Sequence, residues 1–199
     1  MTRILLIRHV TNDTVGKLLA GRRAGVLLNQ EGKQQAERLA LVLAGKNLKA
    51  IYTSPLERAI ETGLPLANKI GLELKINNDF LEIDFGDWTF CAFEQLANDP
   101  IFEKFNTFRS GTRIPGGEMM AEAQLRMVTA IHKLCLIHPK ECIAIISHAD
   151  MIKATIAYYA GIPLDLFHRL EIGPCTISDI EIEPGTGHVR IHSTNQQVP

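Results

Sequence analysis

The chain predicts an α/β fold, a three-layer α/β/α sandwich around a mainly parallel central sheet with an antiparallel hairpin at its C-terminal edge. Three observations lead there. Two short Ile-rich runs, Ile4–Ile7 and the start of "CIAIISH" at 142–148, are apolar and bounded by polar residues, as strands buried on both faces are. Stretches with the apolar period of a helix lie between them. The tail instead alternates apolar and polar residues, the pattern of a half-exposed hairpin.

Each element follows from its own residues. The first strand stops at Arg8-His9 and gives way to polar, turn-prone residues. Ala36, Leu39, Ala40 and Leu43 mark the buried stripe of a first helix. "AIYTS" at 50–54 reads as a strand feeding a second helix on Leu56, Ala59, Ile60, Gly63 and Ala67. In "SPLER", Ser54 suits the N-cap, Pro55 the first helical position and Glu57 the third position of a capping box. Residues 80–118 are less periodic, with two short helical pieces and the turn "IPGGE". A long helix starting near Glu118 presents Leu125, Val128, Ile131 and Cys135 on one face. "CTISDIEIE" and "HVRIH", joined at Pro184-Gly185-Thr186-Gly187, make the hairpin. No repeat or low-complexity linker divides the 199 residues. They read as a single domain, 1–199, with residues about 80–118 as an insertion or lid over one end of the sheet.

Composition narrows the function classes. The sequence is 46% hydrophobic and 22% charged with a formal net charge of −1, which argues against whole-surface attraction to nucleic acid or an anionic membrane. No stretch approaches membrane-spanning length, and the first apolar run is too short for a secretion signal. The four cysteines, Cys91, Cys135, Cys142 and Cys175, form no C-x-x-C pair and have apolar neighbours. They read as free thiols in a reducing compartment, so the expected location is cytoplasmic. His188 and His192 lie in a strand-like tail without cysteine or carboxylate partners, a poor metal site. No Gly-rich nucleotide loop occurs.

The chemistry-bearing residues cluster where open parallel sheets bind ligands, outside the carboxyl ends of the strands. Arg8-His9, "SPLER" and Ser147-His148 all fall there. Arg58 sits in the first turn of its helix, where free N–H groups already favour anions, and a cation is unfavourable by a few tenths to about 1 kcal/mol unless an anion joins it. His148 opens another helix, whose N-terminus favours the neutral ring. Two guanidinium forks suit a tetrahedral oxyanion, and a neutral imidazole beside it is a nucleophile. The proton for a leaving oxygen must come from "FLEIDFGDW", which offers Glu82, Asp84 and Asp87. Spacing does not choose between Glu82 and Asp84, which share a face of an extended segment.

These segments resemble, in order and over nearly the whole chain, the phosphoglycerate-mutase-like branch of the histidine phosphatase superfamily. "LLIRHV" is similar to the family's Arg-His-Gly strand end and "LLNQEGKQQAERLA" to its Leu-Asn-x-x-Gly helix entry. "IYTSPLERAIETG" resembles the Ser-Pro-Leu-x-Arg segment, "LEIDFGDW" the acid-bearing loop, "IPGGE" the Pro-Gly-Gly-Glu turn and "IISHADMIKA" the second-histidine segment. The resemblance implies a phosphomonoester hydrolase of the small-phosphatase type acting on a small molecule. It makes His9 the phosphorylated nucleophile, with Arg8, Arg58 and His148 as the phosphate pocket. Glu82 becomes proton donor and then general base, and Asn12 and Arg22 face substrate. Arginine, imidazole and helix N–H groups supply the charge stabilisation, so neither metal nor other cofactor is expected.

Val10, Thr11 and Ala149 depart from the family's usual Gly, Glu and Gly. Because Gly tolerates angles that Val and Ala resist, either the loop is conformationally ordinary or the pocket is altered. The alternatives are a cofactor-dependent phosphoglycerate mutase and an inactive phospho-ligand-binding relative. Family mutases carry longer insertions over the site than residues 80–118 supply, which favours hydrolysis. Phe80, Phe85, Trp88, Phe90 and Phe93 read chiefly as packing of the insertion, with an apolar leaving-group pocket as the other reading. Arg109 and Arg113 either grip a second acidic group or face solvent. The terminal hairpin leaves an edge on which two copies could pair.

Overall fold

A computed structural model describes residues 1–198. Strands β1 (Thr2–Arg8), β2 (Leu48–Thr53), β3 (Leu74–Ile76), β4 (Cys142–Ser147), β5 (Thr176–Ile182) and β6 (Val189–Gln197) form one sheet in the order β3-β2-β4-β1-β5-β6. The β3-β2-β4-β1 half is parallel; β5 runs antiparallel to β1 and pairs with β6 as the edge hairpin. Helices α1 (Gln30–Leu43) and α2 (Glu57–Ile70) cover one face. On the other pack α5 (Met120–Ile137) and α6 (Ala149–Ala160), with the short α3 (Phe93–Leu96) and α4 (Pro100–Thr107).

The two-residue period of the strands divides the core. Ile4, Leu6, Ile143 and Ile145 point toward α5 and α6, while Leu5, Ile7, Ala144 and Ile146 point toward α1 and α2. Both faces are covered, which is why Ile4–Ile7 and residues 143–146 are apolar at every position. Arg8 lies opposite Ser147 and Thr53 opposite Ile146, so the carboxyl ends of the three central strands finish level.

Four local expectations shift. Helix α2 begins at Glu57, with Leu56 in the cap position and no side-chain cap. Ser54 lies before the helix and Glu57 accepts instead from the Gly25 amide. Leu125 faces solvent at 67% exposure, because α5 buries the stripe through Met120, Ala123, Met127 and Leu134 beside Val128, Ile131 and Cys135. β3 has no counterpart in the sequence reading; three residues with an exposed Lys75 give no period to detect. β6 continues past "HVRIH" to Gln197, an alternating edge strand made of polar residues.

Val10 resolves the first departure from the family pattern. It takes no left-handed backbone angle, and its side chain is fully buried in the α1–α2 core cluster. Ala149 is an ordinary first helical residue. Val10→Gly should therefore lower stability by about 2–4 kcal/mol through lost burial and a looser unfolded-state reference. Urea unfolding measures this, and an unchanged midpoint would show that Val10 does no packing.

Candidate active site

The level strand ends deliver side chains from distant segments to one cleft of about 190 Å3. The loops leaving them are tied together: the His9 amide donates to the Ser147 carbonyl (2.9 Å) and the Ser54 amide to the Ile146 carbonyl (3.0 Å). Arg8, His9, Asn12, Arg58 and Glu82 all line the cleft, and His148 lies immediately behind, with its ring 5.3 Å from that of His9.

Arg58 is 1% exposed, although it sits in the first turn of α2. Its Nη2 donates to the Gly21 carbonyl (2.7 Å) and toward His148 Nδ1 (3.3 Å). Arg8 Nη1 donates to the Ile172 carbonyl (2.7 Å). Among the described residues, Arg8 Nε, Arg58 Nε, Arg58 Nη1 and Asn12 Nδ2 have no protein acceptor. Leaving a buried donor unpaired costs about 1–3 kcal/mol, more when it is charged. Such donors gathered at one strand edge and one helix N-terminus call for an anion.

The ring nitrogens are sorted by their neighbours. His9 Nδ1–H donates to the Val10 carbonyl (2.8 Å), which leaves the Nε2 lone pair free. Because a guanidinium only donates, His148 Nδ1 accepts from Arg58, and Nε2–H donates to Ser54 Oγ (2.8 Å). This is what Ser54 does in place of capping α2. Burial, followed by the charges of Arg58 and Arg8, holds His9 well below the ordinary imidazole range. Burial and Arg58 do the same for His148. Both rings are neutral at pH 7, the state in which a free imidazole lone pair is nucleophilic.

The acid loop separates the carboxylates that spacing left equivalent. Glu82 is in the cleft, with Oε2 4.0 Å from His148 Nδ1, and burial followed by the neighbouring Asp150 charge pushes its pKa up to about 7. Asp84 is turned away: its Oδ1 accepts from the Gly86 amide (3.0 Å) and its Oδ2 pairs with Arg22 (3.3 Å). Asp87 lies against the Gly116 turn, outside the cleft.

Arg22 requires a correction. It does not line the cleft, because each arm of its guanidinium is committed to protein. Nε donates to the Glu82 carbonyl (2.8 Å), Nη1 meets Asp84 and Nη2 meets Glu118 (2.9 Å). Glu118 Oε1 also accepts from Arg126 Nη2 (2.9 Å) and the Asp84 amide (2.8 Å). Arg126 Nη1 holds the Asp79 and Leu81 carbonyls. Arg22, Glu118 and Arg126 thus clamp the backbone on both sides of Glu82. Gly86 (φ +45°) lies flat against the "IPGGE" turn, where a Cβ would come within 2.1 Å of the Pro115 carbonyl.

Asp150 is a cleft residue that the sequence reading missed, and Arg109 holds it. Arg109 is buried between the faces of Phe105 and Phe167 (4.4 and 4.1 Å to the ring centres), with Nη1 3.3 Å from Asp150 Oδ2. Arg113 pairs with Glu122. Phe80, Phe85 and Trp88 are core, Phe93 lines the cleft half-exposed, and Phe90 is exposed.

Fold and cleft together define an α/β domain with neutral imidazoles and unpaired arginine donors at its parallel strand ends. The family model of the histidine phosphatase superfamily (branch 1) matches residues 4–195, and the chain belongs to that superfamily. It is 28% identical over 193 residues to phosphoserine phosphatase 1 of Hydrogenobacter thermophilus, covering 92% of this chain and 88% of the relative. It is 26% identical over 185 residues to the 2,3-bisphosphoglycerate-dependent phosphoglycerate mutase of Thermoplasma acidophilum (91% and 88%). The solved phosphoserine phosphatase of Entamoeba histolytica in complex with 3-phosphoglyceric acid superposes with TM-score 0.88 at 28% identity, covering 99% of this chain and 98% of that one. Three mycobacterial relatives are longer, and the chain spans 53% of their length.

Orthophosphate should bind the unpaired donors and stabilise the fold. At a hundredfold over its Kd the gain is about 2.7 kcal/mol, a rise in melting temperature of roughly 5–10 °C for a domain of this size. Arg58→Ala should remove most of that increment in a thermal-shift titration. No shift in the parent protein would contradict an anion pocket.

Proposed function

We propose that the protein is a phosphomonoester hydrolase working through a phosphohistidine on His9. The observation that carries the reading is the meeting of His9 Nε2, the unpaired donors of Arg8 and Arg58, and the Glu82 carboxyl in one cleft. His9 Nε2 attacks phosphorus as the ester P–O bond breaks, and Glu82 gives its proton to the departing oxygen. Arg8, Arg58 and Asn12 Nδ2 bind the equatorial oxygens as charge redistributes. His148 orients Arg58 through its Nδ1 and closes the rear of the pocket. The Glu82 carboxylate then takes a proton from water, which attacks phosphorus, breaks the P–N bond and restores both side chains. Every step is served by groups of the chain itself, and the substrate is a small phosphomonoester.

Residues about 80–118 act as the lid of a single domain in this reading, supplying Glu82, Phe85 and Phe93 to the cleft wall. The mutase alternative shares the phosphoenzyme but must keep it from water while the product turns over, and a lid of this length favours hydrolysis. A pocket that only held a phospho-ligand would have no use for a buried carboxyl poised to ionise near neutrality.

His9→Ala should abolish turnover and the acid-labile phosphate trapped from substrate while leaving the circular-dichroism spectrum intact. Activity equal to the parent's would end the proposal. The pH dependence has a defined sign. For an alkyl phosphate, kcat/KM requires neutral His9 and protonated Glu82, so it rises through a pKa well below 6.5 and falls through about 7. Glu82→Gln should lose roughly 10²–10⁴-fold and the falling limb with it. A profile still falling near pH 7 in that variant, or an equal loss in Asp84→Asn, would assign the acid elsewhere.

A further inference from the structure

We propose that the leaving-group side of the cleft selects phosphomonoesters of alcohols that carry no carboxylate, with Asp150 repelling a second acid group and accepting a hydrogen bond from a substrate hydroxyl or ammonium. This inference rests on the phosphatase reading above and names the substrate class of the same site.

The positive charges near the cleft leave none over for a second acid group. The free donors of Arg8 and Arg58 belong to the phosphoryl group. A carboxylate elsewhere on the substrate would need a further cation. Lys17 and Arg23, in the loop beside the cleft, do not line it, and Arg22, Arg109 and Arg113 are spent. Arg22 is divided between the Glu82 carbonyl, Asp84 and Glu118. Arg109 is held by Asp150 and Asn106 between two phenylalanine faces, and Arg113 by Glu122. Among the described residues, no arginine or lysine besides Arg8 and Arg58 lines the cleft.

Apart from small residues, the rest of the lining is an apolar wall that includes Val15, Leu19, Phe85 and Phe93, the Thr14 hydroxyl, and the carboxylate of Asp150. Asp150 keeps 22% of its side chain exposed; Arg109 takes Oδ2 at 3.3 Å, and no side-chain donor among the described residues takes Oδ1. A fixed anion with a vacant acceptor opposes a second negative charge and welcomes an N–H or O–H donor. This preference departs from the acids named for the relatives, phosphoserine and 3-phosphoglyceric acid, each of which carries a carboxylate beside its phosphate.

Two substrate pairs differ only at the carboxylate. Phosphoethanolamine is phosphoserine without it, and glycerol 1-phosphate has a hydroxymethyl where 3-phosphoglycerate has the acid. Steady-state kcat/KM should favour the carboxylate-free member by about tenfold or more in both pairs, and Asp150→Asn should shrink that ratio at least about fivefold. Ratios cancel any change the variant makes to the chemistry common to both substrates, and the parent's ratios test the proposal even if the variant fails to fold. A parent ratio near one, a preference for the acids, or an undiminished ratio in a folded Asp150→Asn would overturn it. Turnover without preference defeats this inference alone. No turnover of any of the four, with no phosphate on His9, defeats the phosphatase reading as well.

Discussion

The site depends on two guanidinium groups buried at the ends of neighbouring structural elements without enough protein acceptors to satisfy them. Arg8 closes β1 and Arg58 opens α2, and each spends one nitrogen on a backbone carbonyl. Arg8 Nε, Arg58 Nε and Arg58 Nη1 are withheld from water and unpaired. That arrangement is costly in the free protein and becomes favourable when a compact dianion enters. The same two charges, added to burial, keep His9 and His148 neutral. In the proposed mechanism the cationic pocket therefore accounts for the nucleophile as well as for the place of its target.

Around this pair the fold supplies rigidity and charge balance. Parallel pairing of β1, β4 and β2 brings three strand ends level, so that residues from positions 8, 54 and 148 meet without long loops. The Arg22–Glu118–Arg126 clamp then fixes the carbonyls on either side of Glu82, so its carboxyl enters the cleft on a held backbone. Asp150 adds a negative charge that Arg109 only partly neutralises, and with burial this lifts Glu82 to about 7. The carboxyl proposed as the acid is thus tuned by a neighbour that also lines the cleft.

The fold was legible in the sequence where burial leaves a regular trace. The centres of β1 and β4, covered on both faces, are runs of apolar residues, and α1 shows its stripe because Ala36, Leu39, Ala40 and Leu43 all point inward. Arg8, His9 and His148 drew attention because polar groups at the ends of apolar strands have few structural excuses, and Arg58 because a cation is ill-placed in a helix's first turn. Glu82 was separated from Asp84 only by the family resemblance, since both lie in an irregular loop. The clamp was not. Glu118 and Arg126 touch a loop some 40 residues away and have no fixed spacing to it, and Arg22 looks like a substrate ligand until its partners are seen. Asp150 was missed because an acid in the first turn of a helix already has a reason to be there in the dipole. Ser54 misled for a related reason: a sequence suited to capping was used to hold the His148 ring.

The central claim is that the unpaired arginine donors and His9 Nε2 surround one tetrahedral group. A crystal structure of the protein soaked with orthovanadate tests it most directly. The account predicts vanadium within covalent reach of His9 Nε2, about 2 Å, with its equatorial oxygens on Arg8 and Arg58 and an apical oxygen facing Glu82. Vanadate bound elsewhere, or a fully occupied soak that leaves His9 and both arginines untouched, would contradict it.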